Sequence, residues 1–282
     1  MRALSMFALV FLAATLGLRP AAAQTSTAPY VPTPAALVEE MLKLAAVGPA
    51  DFVIDLGSGD GRIVIAAAQQ FGARGFGVDI DAELVRGANE AAARAGVADR
   101  ARFFVRDLFK TELREASVVT LYLLPSMLPV LLPKLLAELP AGARVISHDY
   151  PFVSLAHRRV STYEIDEKVM ATGSTNTVLY LYVMPARVGG EWLLDLPRNI
   201  AWQPARLSIS QQPSRVSGEV EIDGKSLPLT RMQVDGGDVS FSIPMPGSPG
   251  RDMNFVGKAG DTAMQGQVQM PLDTAPWRAR RR

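Results

Sequence analysis

One stretch decides the fold: Val53-Ile54-Asp55-Leu56-Gly57-Ser58-Gly59-Asp60-Gly61-Arg62. It has the pattern of a buried strand that runs into glycines and then into a helix. The glycines let the backbone turn tightly and approach a ligand where a side chain would collide. A nucleotide held at such a junction lies at the carboxyl edge of a parallel sheet. Because dinucleotide enzymes also use a glycine loop, and because the loop could be a simple tight turn, this signal alone is weak.

Acidic residues end three successive predicted strands, and this series makes the signal more specific. Asp55 ends the first strand, Asp79 the second and Asp107 the third. A carboxylate at the second strand end can accept hydrogen bonds from both hydroxyls of a ribose, and one at the third can accept from an exocyclic adenine amine. Asp55 would support the glycine loop and an ammonium group of the ligand. Taken singly, Asp107 could also be a turn residue.

The spacing of the loop glycines separates two classes of nucleotide-binding protein. Gly57, Gly59 and Gly61 alternate with single residues, whereas the third glycine of the dinucleotide pattern comes one residue later. No pyrophosphate therefore needs to be held here. Together with the acids, the pattern resembles the class I S-adenosylmethionine-dependent methyltransferases over roughly residues 28–184. The resemblance implies S-adenosyl-L-methionine as the cofactor.

A closer resemblance rests on four segments, which are Pro29-Tyr30-Val31-Pro32-Thr33-Pro34, residues 55–62, Thr120-Leu121-Tyr122-Leu123-Leu124-Pro125 and Ser147-His148-Asp149-Tyr150. These segments resemble the family of the ATP synthase c-subunit lysine N-methyltransferase and its bacterial relatives. The resemblance implies that Tyr30 and Thr33 close over the methionine end of the cofactor. It also implies that Tyr122 to Pro125 line the methyl-transfer pocket and that a lysine side chain is the acceptor.

Two residues are candidates for catalysis. A lysine must lose a proton before it accepts a methyl group, and its reference pKa is about 10.4, which partial desolvation lowers. Tyr122, beyond the fourth predicted strand, could orient the amine, and Asp149 could receive or relay the proton. An equally supported alternative has Tyr122 packed in the core and His148-Asp149 merely ending a strand.

Strand and helix patterns alternate through the first two-thirds of the chain. Strands are predicted at 51–56, 73–79, 101–106, 117–123 and 143–147, and helices at 35–47, 62–70, 82–95 and 127–139. Thr33 is expected to cap the first helix, with Pro34 at its first position. Two further runs, near 160–169 and 176–183, are too close for a crossover helix and should pair antiparallel. The predicted fold is α/β, a seven-stranded Rossmann-like methyltransferase sheet with a terminal antiparallel hairpin.

Composition changes at residues 185–190, where helical periodicity ends. Short alternating runs follow, separated by hairpin-turn pairs such as Asp223-Gly224 and Gly260-Asp261. They predict a small C-terminal all-β domain, either a barrel or a sandwich. The tail from Trp277 to Arg282 is expected to be a solvated end. The predicted domains are a signal peptide at 1–23, the methyltransferase domain at 24–186 and the β domain at 187–282.

The start of the chain has the pattern of a secretory signal peptide. Arg2 precedes a mostly apolar run from Ala3 to Leu18, and small residues stand at the cleavage spacing Ala21-x-Ala23. The run is shorter than the roughly 20 residues of a spanning helix, which disfavours a membrane anchor. The protein is therefore expected to be exported, to the periplasm or the medium, with no stable membrane span after cleavage.

Composition argues against several classes of site. The formal charge of +1 falls to −1 when Arg2 and Arg19 are lost with the leader, so no nucleic-acid partner is expected. The chain has no cysteine, which excludes disulfides and zinc–thiolate sites. Its two histidines, His148 and His157, are not spaced with carboxylates as metal ligands are, so no metal site is predicted.

The leading hypothesis is therefore a protein-lysine N-methyltransferase. The acceptor could instead be a small molecule, methylated by an exported enzyme. A third alternative is an exported binding protein that retains the cofactor pocket without catalysis. Export favours this last alternative, because it removes the protein from the cytoplasm, where the cofactor is made.

Overall fold

The computed structural model describes residues 31–169, 173–198, 200–201, 203–246, 248 and 250–282. Tyr30 and the predicted signal peptide lie outside the described residues. The chain builds two sheets, one of seven strands and one of nine. Among the described residues, no helix is long and apolar enough to cross a membrane.

The first sheet has the order β3-β2-β1-β4-β5-β7-β6. Its strands are β1 (Phe52–Leu56), β2 (Arg74–Asp79), β3 (Ala101–Val105), β4 (Val118–Leu121), β5 (Arg144–His148), β6 (Arg159–Glu164) and β7 (Asn176–Val183). The helices are α1 (Ala35–Leu44), α2 (Arg62–Gln70), α3 (Ala82–Arg94) and α4 (Leu128–Glu138). Strands β1 to β5 are parallel, and β7 pairs antiparallel with both β5 and β6. The predicted sheet and its terminal hairpin are confirmed.

Helices cover both faces of this sheet, because alternate strand residues point to opposite sides. Val53 of β1 packs in a cluster with the apolar residues of α1, while its neighbour Ile54 packs in a cluster with those of α4. Buried residues of α1 lie on one stripe, at Leu37, Val38, Met41 and Leu42. The near-continuous apolar strands are therefore buried on both sides.

The prediction that Thr33 caps α1 is wrong. Pro34 occupies the N-cap position, where no side chain makes a capping hydrogen bond. The Thr33 hydroxyl lies 3.2 Å from Nδ1 of the buried His148. A buried ring nitrogen needs a polar partner, and this long-range contact takes the hydroxyl away from the helix end.

The second sheet is a meander that curls into a nearly closed barrel. Its strands are β8 (Gly190–Asp195), β9 (Ala205–Gln212), β10 (Arg215–Ile222), β11 (Lys225–Pro228), β12 (Thr230–Asp235), β13 (Asp238–Pro244), β14 (Asp252–Ala259), β15 (Ala263–Gln269) and β16 (Thr274–Arg281). Consecutive strands pair, and β16 returns to pair with β8. The exception among the described strands is β11 with β12; Leu229 separates them, and β12 also contacts β10. Side chains such as Trp192, Phe241 and Phe255 fill the interior.

The prediction of a solvated tail is wrong, because the tail is the closing strand β16. Trp277 and Ala279 point into the barrel and are buried, while Arg278 and Arg280 face outward. The Arg281 guanidinium lies 4.3 Å from the centre of the Trp192 ring and donates a hydrogen bond to the Gly189 carbonyl. The sequence did not indicate a strand here, because arginines occupy its outward-facing positions and only every second residue is apolar.

The two sheets meet near the end of β7. The Ala186 amide donates to the Gly236 carbonyl over 2.7 Å, and the Arg158 guanidinium pairs with Asp235. Arg187 donates to the Ala137 carbonyl at the end of α4. The domain boundary between residues 186 and 187 stays a prediction.

Candidate functional site

The glycine loop lies between the end of β1 and the start of α2. Gly57, Gly59 and Gly61 all have positive φ angles, of 84°, 51° and 79°. A Cβ at Gly61 would lie 2.5 Å from the Phe103 ring. The loop therefore requires glycine, and the lack of side chains lets its backbone lie close to a ligand at the carboxyl edge of the sheet.

Asp79, at the end of β2, is fixed against this loop. Its Oδ2 accepts a hydrogen bond from the Gly59 amide over 2.9 Å, and its Oδ1 accepts one from the Asp81 amide over 3.0 Å. Each carboxylate oxygen can accept a second hydrogen bond. The carboxylate is thus held in place with capacity left for the two hydroxyls of a ribose.

Asp55, in β1, is buried beside the loop and accepts a hydrogen bond from the Thr120 hydroxyl over 2.7 Å. Burial raises its pKa to about 7, and the charges of Asp79 and Asp60 add to this effect. A cationic group placed nearby would favour the ionised form. The environment of Asp55 therefore suits a ligand that carries an ammonium.

Asp107 follows β3 at the same edge of the sheet. Its carboxylate accepts the Phe109 amide over 2.9 Å and lies 3.7 Å from the Lys110 ammonium. It caps a turn, as the alternative interpretation expects, and it remains partly exposed beside Asp79. Its contact with adenine stays a prediction.

Tyr122 and His148, at the ends of β4 and β5, form a stacked pair. Their ring centroids are 3.8 Å apart and the rings are inclined by 27°. The His148 ring nitrogens lie 3.2 Å from the Thr33 hydroxyl and 2.7 Å from the Thr177 hydroxyl. Burial lowers the pKa of His148 to about 4, and burial followed by the Asp149 charge raises the pKa of Tyr122 to about 12. Both rings are therefore neutral near pH 7.

Asp149 lies beside this pair, and both of its carboxylate oxygens accept hydrogen bonds from the protein. Its Oδ1 accepts from the Thr177 hydroxyl and the Val178 amide, and its Oδ2 lies 2.6 Å from the Lys168 ammonium. The Tyr122 hydroxyl donates to Oδ2 over a longer distance of 3.5 Å. Burial raises the pKa of Asp149, but the hydrogen bonds from Lys168, Thr177 and Val178 act together against it, and the pKa is held below its usual range.

Lys168 belongs to the site, although no sequence pattern pointed to it and it stands in a run predicted as strand. It ends a short 3₁₀ turn after β6, and its side chain is only 7% exposed. The ammonium also donates to the Asn176 carbonyl over 2.7 Å. Its position in the site depends on the pairing of β7 between β5 and β6, which brings Asn176 next to it.

Residues 31–34 cross the site as a strap. Arg62 donates to the Thr33 carbonyl over 2.7 Å and pairs with Asp60 at 2.6 Å, so the strap is tied to the glycine loop. Beneath it lies a cavity of about 120 Å³ lined by Val31, Pro32, Pro34, Arg62, Tyr122, Glu167 and Lys168. Thr33 thus reaches the site, while Tyr30 lies outside the described residues.

The structure brings the sequence-predicted residues to one edge of the first sheet. Gly57, Gly59 and Gly61 form the glycine loop at this edge. The carboxylates at the strand ends are those of Asp55, Asp79 and Asp107. Tyr122 and Asp149 form the adjoining cluster. The positive-φ cradle and the fixed Asp79 carboxylate fit an adenosyl ligand. In the part of the chain that the structure describes, no group of three or more histidine, aspartate and glutamate side chains could hold a metal ion.

Known proteins are similar to this chain in sequence. A family model described as "ANTKMT methyltransferase domain" matches residues 55–159. A protein-lysine N-methyltransferase of Saccharolobus islandicus is 40% identical over 157 residues, which are 55% of this chain and 93% of that protein. The ATP synthase c-subunit lysine N-methyltransferase of Mus musculus is 39% identical over 126 residues, or 44% of this chain; the match spans only about half, 49%, of the mouse protein.

One solved structure is similar in both sequence and fold. It is that of a protein named as an RNA methyltransferase, from Salinibacter ruber, in complex with S-adenosyl-L-homocysteine. It is 45% identical, with a TM-score of 0.50, and the match covers 56% of this chain and 96% of that one. The resemblance drawn from the motifs is confirmed by these comparisons.

Proposed function

The chain belongs to the S-adenosylmethionine-dependent methyltransferase family that includes the archaeal protein-lysine N-methyltransferase, and we propose that its own acceptor is a lysine side chain of a protein. The observation that carries this proposal is the archaeal match, which spans nearly the whole of a relative named for protein-lysine methylation. The site supports it, because the cavity beside the cofactor loop is lined by Tyr122, whose hydroxyl donates to the Asp149 carboxylate. Such a cavity has the size and polarity to receive an amine at the end of a slender chain.

The residues that hold the cofactor follow from the geometry. The loop from Gly57 to Gly61 would give its backbone to the adenosyl group, Asp79 would bind the ribose hydroxyls, and Asp55 would face the methionine ammonium. S-adenosylmethionine, when bound, supplies a methyl group on a sulfonium, whose C–S bond breaks as an acceptor lone pair forms the new bond. The chain therefore needs mainly to position the acceptor in line.

Tyr122 and the strap do this positioning. Stacking on His148 fixes the plane of the Tyr122 ring, and its neutral hydroxyl is directed at Asp149. Thr33 is held at its carbonyl by Arg62 and at its hydroxyl by His148, so the strap is fixed over the cavity. An acceptor amine that enters beside Tyr122 is thereby oriented by a hydroxyl beneath the strap.

We also propose that the protein acts after export. The pattern of Arg2, an apolar run and Ala21-x-Ala23 supports cleavage between Ala23 and Gln24. Mass spectrometry of protein recovered from the native host's periplasm or medium should find an N-terminus at Gln24. Intact Met1 in the cytoplasm would overturn export and leave the lysine-methylation proposal unaffected.

Methyl-group labelling tests the acceptor. The protein is incubated with methyl-labelled S-adenosylmethionine and extracts of the host's periplasm and cytoplasm, and the products are digested with protease or nuclease. We expect label that protease releases and that hydrolysis yields as methyl-lysine. Label released by nuclease would instead make RNA the acceptor, as the name of the Salinibacter ruber protein states for that enzyme. That result would also contradict the expectation of no nucleic-acid partner.

A further inference from the structure

Lys168 and Tyr122 line the same small cavity, next to the glycine loop. Lys168 is nearly buried, and its ammonium is 2.6 Å from Asp149 Oδ2. The Tyr122 hydroxyl points at that same oxygen. A cation belonging to the protein therefore occupies the place on Asp149 that the ammonium of an incoming lysine would need.

The other charged groups at the cavity do not replace this carboxylate. Arg62 brings a second positive charge, which is paired with Asp60. Glu167 lines the cavity but belongs to an exposed turn. The nearby His148 ring is neutral near pH 7, because burial lowers its pKa to about 4. An entering ammonium would thus meet two fixed cations and a carboxylate that is already paired.

We infer that Lys168 is a specificity-determining residue that admits the acceptor amine in its neutral form. The inference rests on the proposed lysine acceptor and deepens it. The like charge of Lys168 disfavours an ammonium in the small cavity, and a neighbouring cation is a known way to make an amine nucleophilic near neutral pH. The acceptor then gives its proton to water before it enters, and its free lone pair faces the cofactor. Asp149 serves as the counter-ion of Lys168 and has no need to act as the base.

Sinefungin provides a direct probe of the cavity. It is an analogue of S-adenosylmethionine with a primary amine in place of the methylated sulfonium, so its amine lies where the methyl group is transferred. Calorimetric titration of the protein at pH 7, in two buffers of different ionisation enthalpy, counts the protons released on binding. A free aliphatic amine is protonated at that pH, so we expect about one more proton to be released per sinefungin than per S-adenosylhomocysteine, which has no such amine. A proton that Asp55, with its pKa of about 7, loses when the methionine end binds is common to both ligands and cancels in this difference.

Variants of Lys168 sharpen the test. In Lys168→Met, Asp149 becomes free to pair with the ammonium of sinefungin, so the extra proton release relative to S-adenosylhomocysteine should vanish. The affinity for sinefungin relative to that for S-adenosylhomocysteine should rise at least about tenfold. Lys168→Arg keeps the charge and should behave like the unmodified protein. Lys134→Met is the matched control, since it removes another partly buried, carboxylate-paired lysine, on α4 and outside the cavity.

The outcomes separate the inference from the proposed function. Sinefungin that binds the unmodified protein without releasing more protons than S-adenosylhomocysteine does, or the same extra release by Lys168→Met, overturns the role of Lys168. The proton count of the unmodified protein decides the matter if Lys168→Met fails to fold. Failure of S-adenosylhomocysteine to bind contradicts the cofactor site itself and, with it, the proposed function.

Discussion

The Tyr122 ring lies against the His148 ring, with centroids 3.8 Å apart, and its hydroxyl is aimed at Asp149. Neither ring is suited to accept a proton from a lysine ammonium near pH 7: the phenol is neutral, and the pKa of His148 is lowered to about 4 by burial. Asp149 is ionised and paired with Lys168. The cluster is therefore built to orient an amine more than to deprotonate it.

Removing the Tyr122 hydroxyl should slow methyl transfer without weakening cofactor binding. Tyr122→Phe keeps the ring that stacks on His148 and loses the donor to Asp149. We expect a rate about tenfold lower or more, on the order of one hydrogen bond to a charged group. Affinity for S-adenosylhomocysteine should change less than about twofold. Tyr163→Phe, on β6 and outside the cluster of Tyr122 and Asp149, is the control. An unchanged Tyr122→Phe rate would remove the hydroxyl from the mechanism.

Asp79 should be needed for cofactor binding. Asp79→Ala removes the carboxylate that is fixed by the Gly59 and Asp81 amides, and with it the charge-assisted hydrogen bonds to the ribose. Calorimetry should show S-adenosylhomocysteine bound more weakly by at least about 1 kcal/mol. Asp99→Ala, at an exposed acid outside the site, should bind normally. Equal affinities for all three proteins would place the ribose elsewhere.

Gly59→Val should lose binding altogether. Gly59 has a φ of 51°, a conformation that a β-branched residue avoids, and its amide is bonded to Asp79. The variant must be shown to fold by its thermal unfolding curve. Gly87→Ala, where nothing lies within 4 Å of an added Cβ, is the control for loss of a glycine. Normal binding by folded Gly59→Val would refute the loop assignment.

The parts of the fold that could be predicted from the sequence are those with strong local patterns. Helix α2 begins and ends where its periodicity does, at Arg62 and Gln70, and β7 matches the predicted run 176–183. Strand β16 was missed, because its inward residues alternate with arginines and its partner β8 lies far away in the chain. Strands β11 and β12 lie at the two edges of the second sheet, where each is short and pairs on one side only. Local patterns do not report such long-range pairing.

The same distinction holds within the site. The glycine loop and Asp79 were predictable, because a tight turn and a strand end leave signals in adjacent residues. Lys168 was not, because its burial and its ion pair with Asp149 depend on contacts between separate strands. Thr33 was assigned to a local cap, whereas its hydroxyl contacts His148, which is 115 residues away. Tertiary contacts of this kind override local preferences.

Two buried groups give the stability of the protein opposite dependences on pH. Burial lowers the pKa of His148 from 6.5 to about 4, so the unfolded chain binds more protons between these values and stability is lost as the pH falls through them. Burial raises the pKa of Asp55 to about 7, so its contribution is present at low pH and is lost as the pH rises through 7. The two effects partly cancel, so the free energy of unfolding measured against pH shows neither contribution separately.

Replacing His148 should reveal its contribution to the pH dependence of the unfolding free energy. His148→Gln removes the titrating ring while leaving polar atoms near Thr33 and Thr177, and Asp55 is common to both proteins. Between pH 7.5 and pH 5.0 the unmodified protein should lose about 2 kcal/mol more unfolding free energy than the variant does. Urea unfolding at the two pH values measures this difference. His157→Gln is the matched control, because His157 is exposed, and it should follow the unmodified protein. If His148→Gln shows the same pH dependence of unfolding free energy as the unmodified protein, His148 does not titrate with a lowered pKa. Its neutrality in the stacked pair with Tyr122 is then refuted.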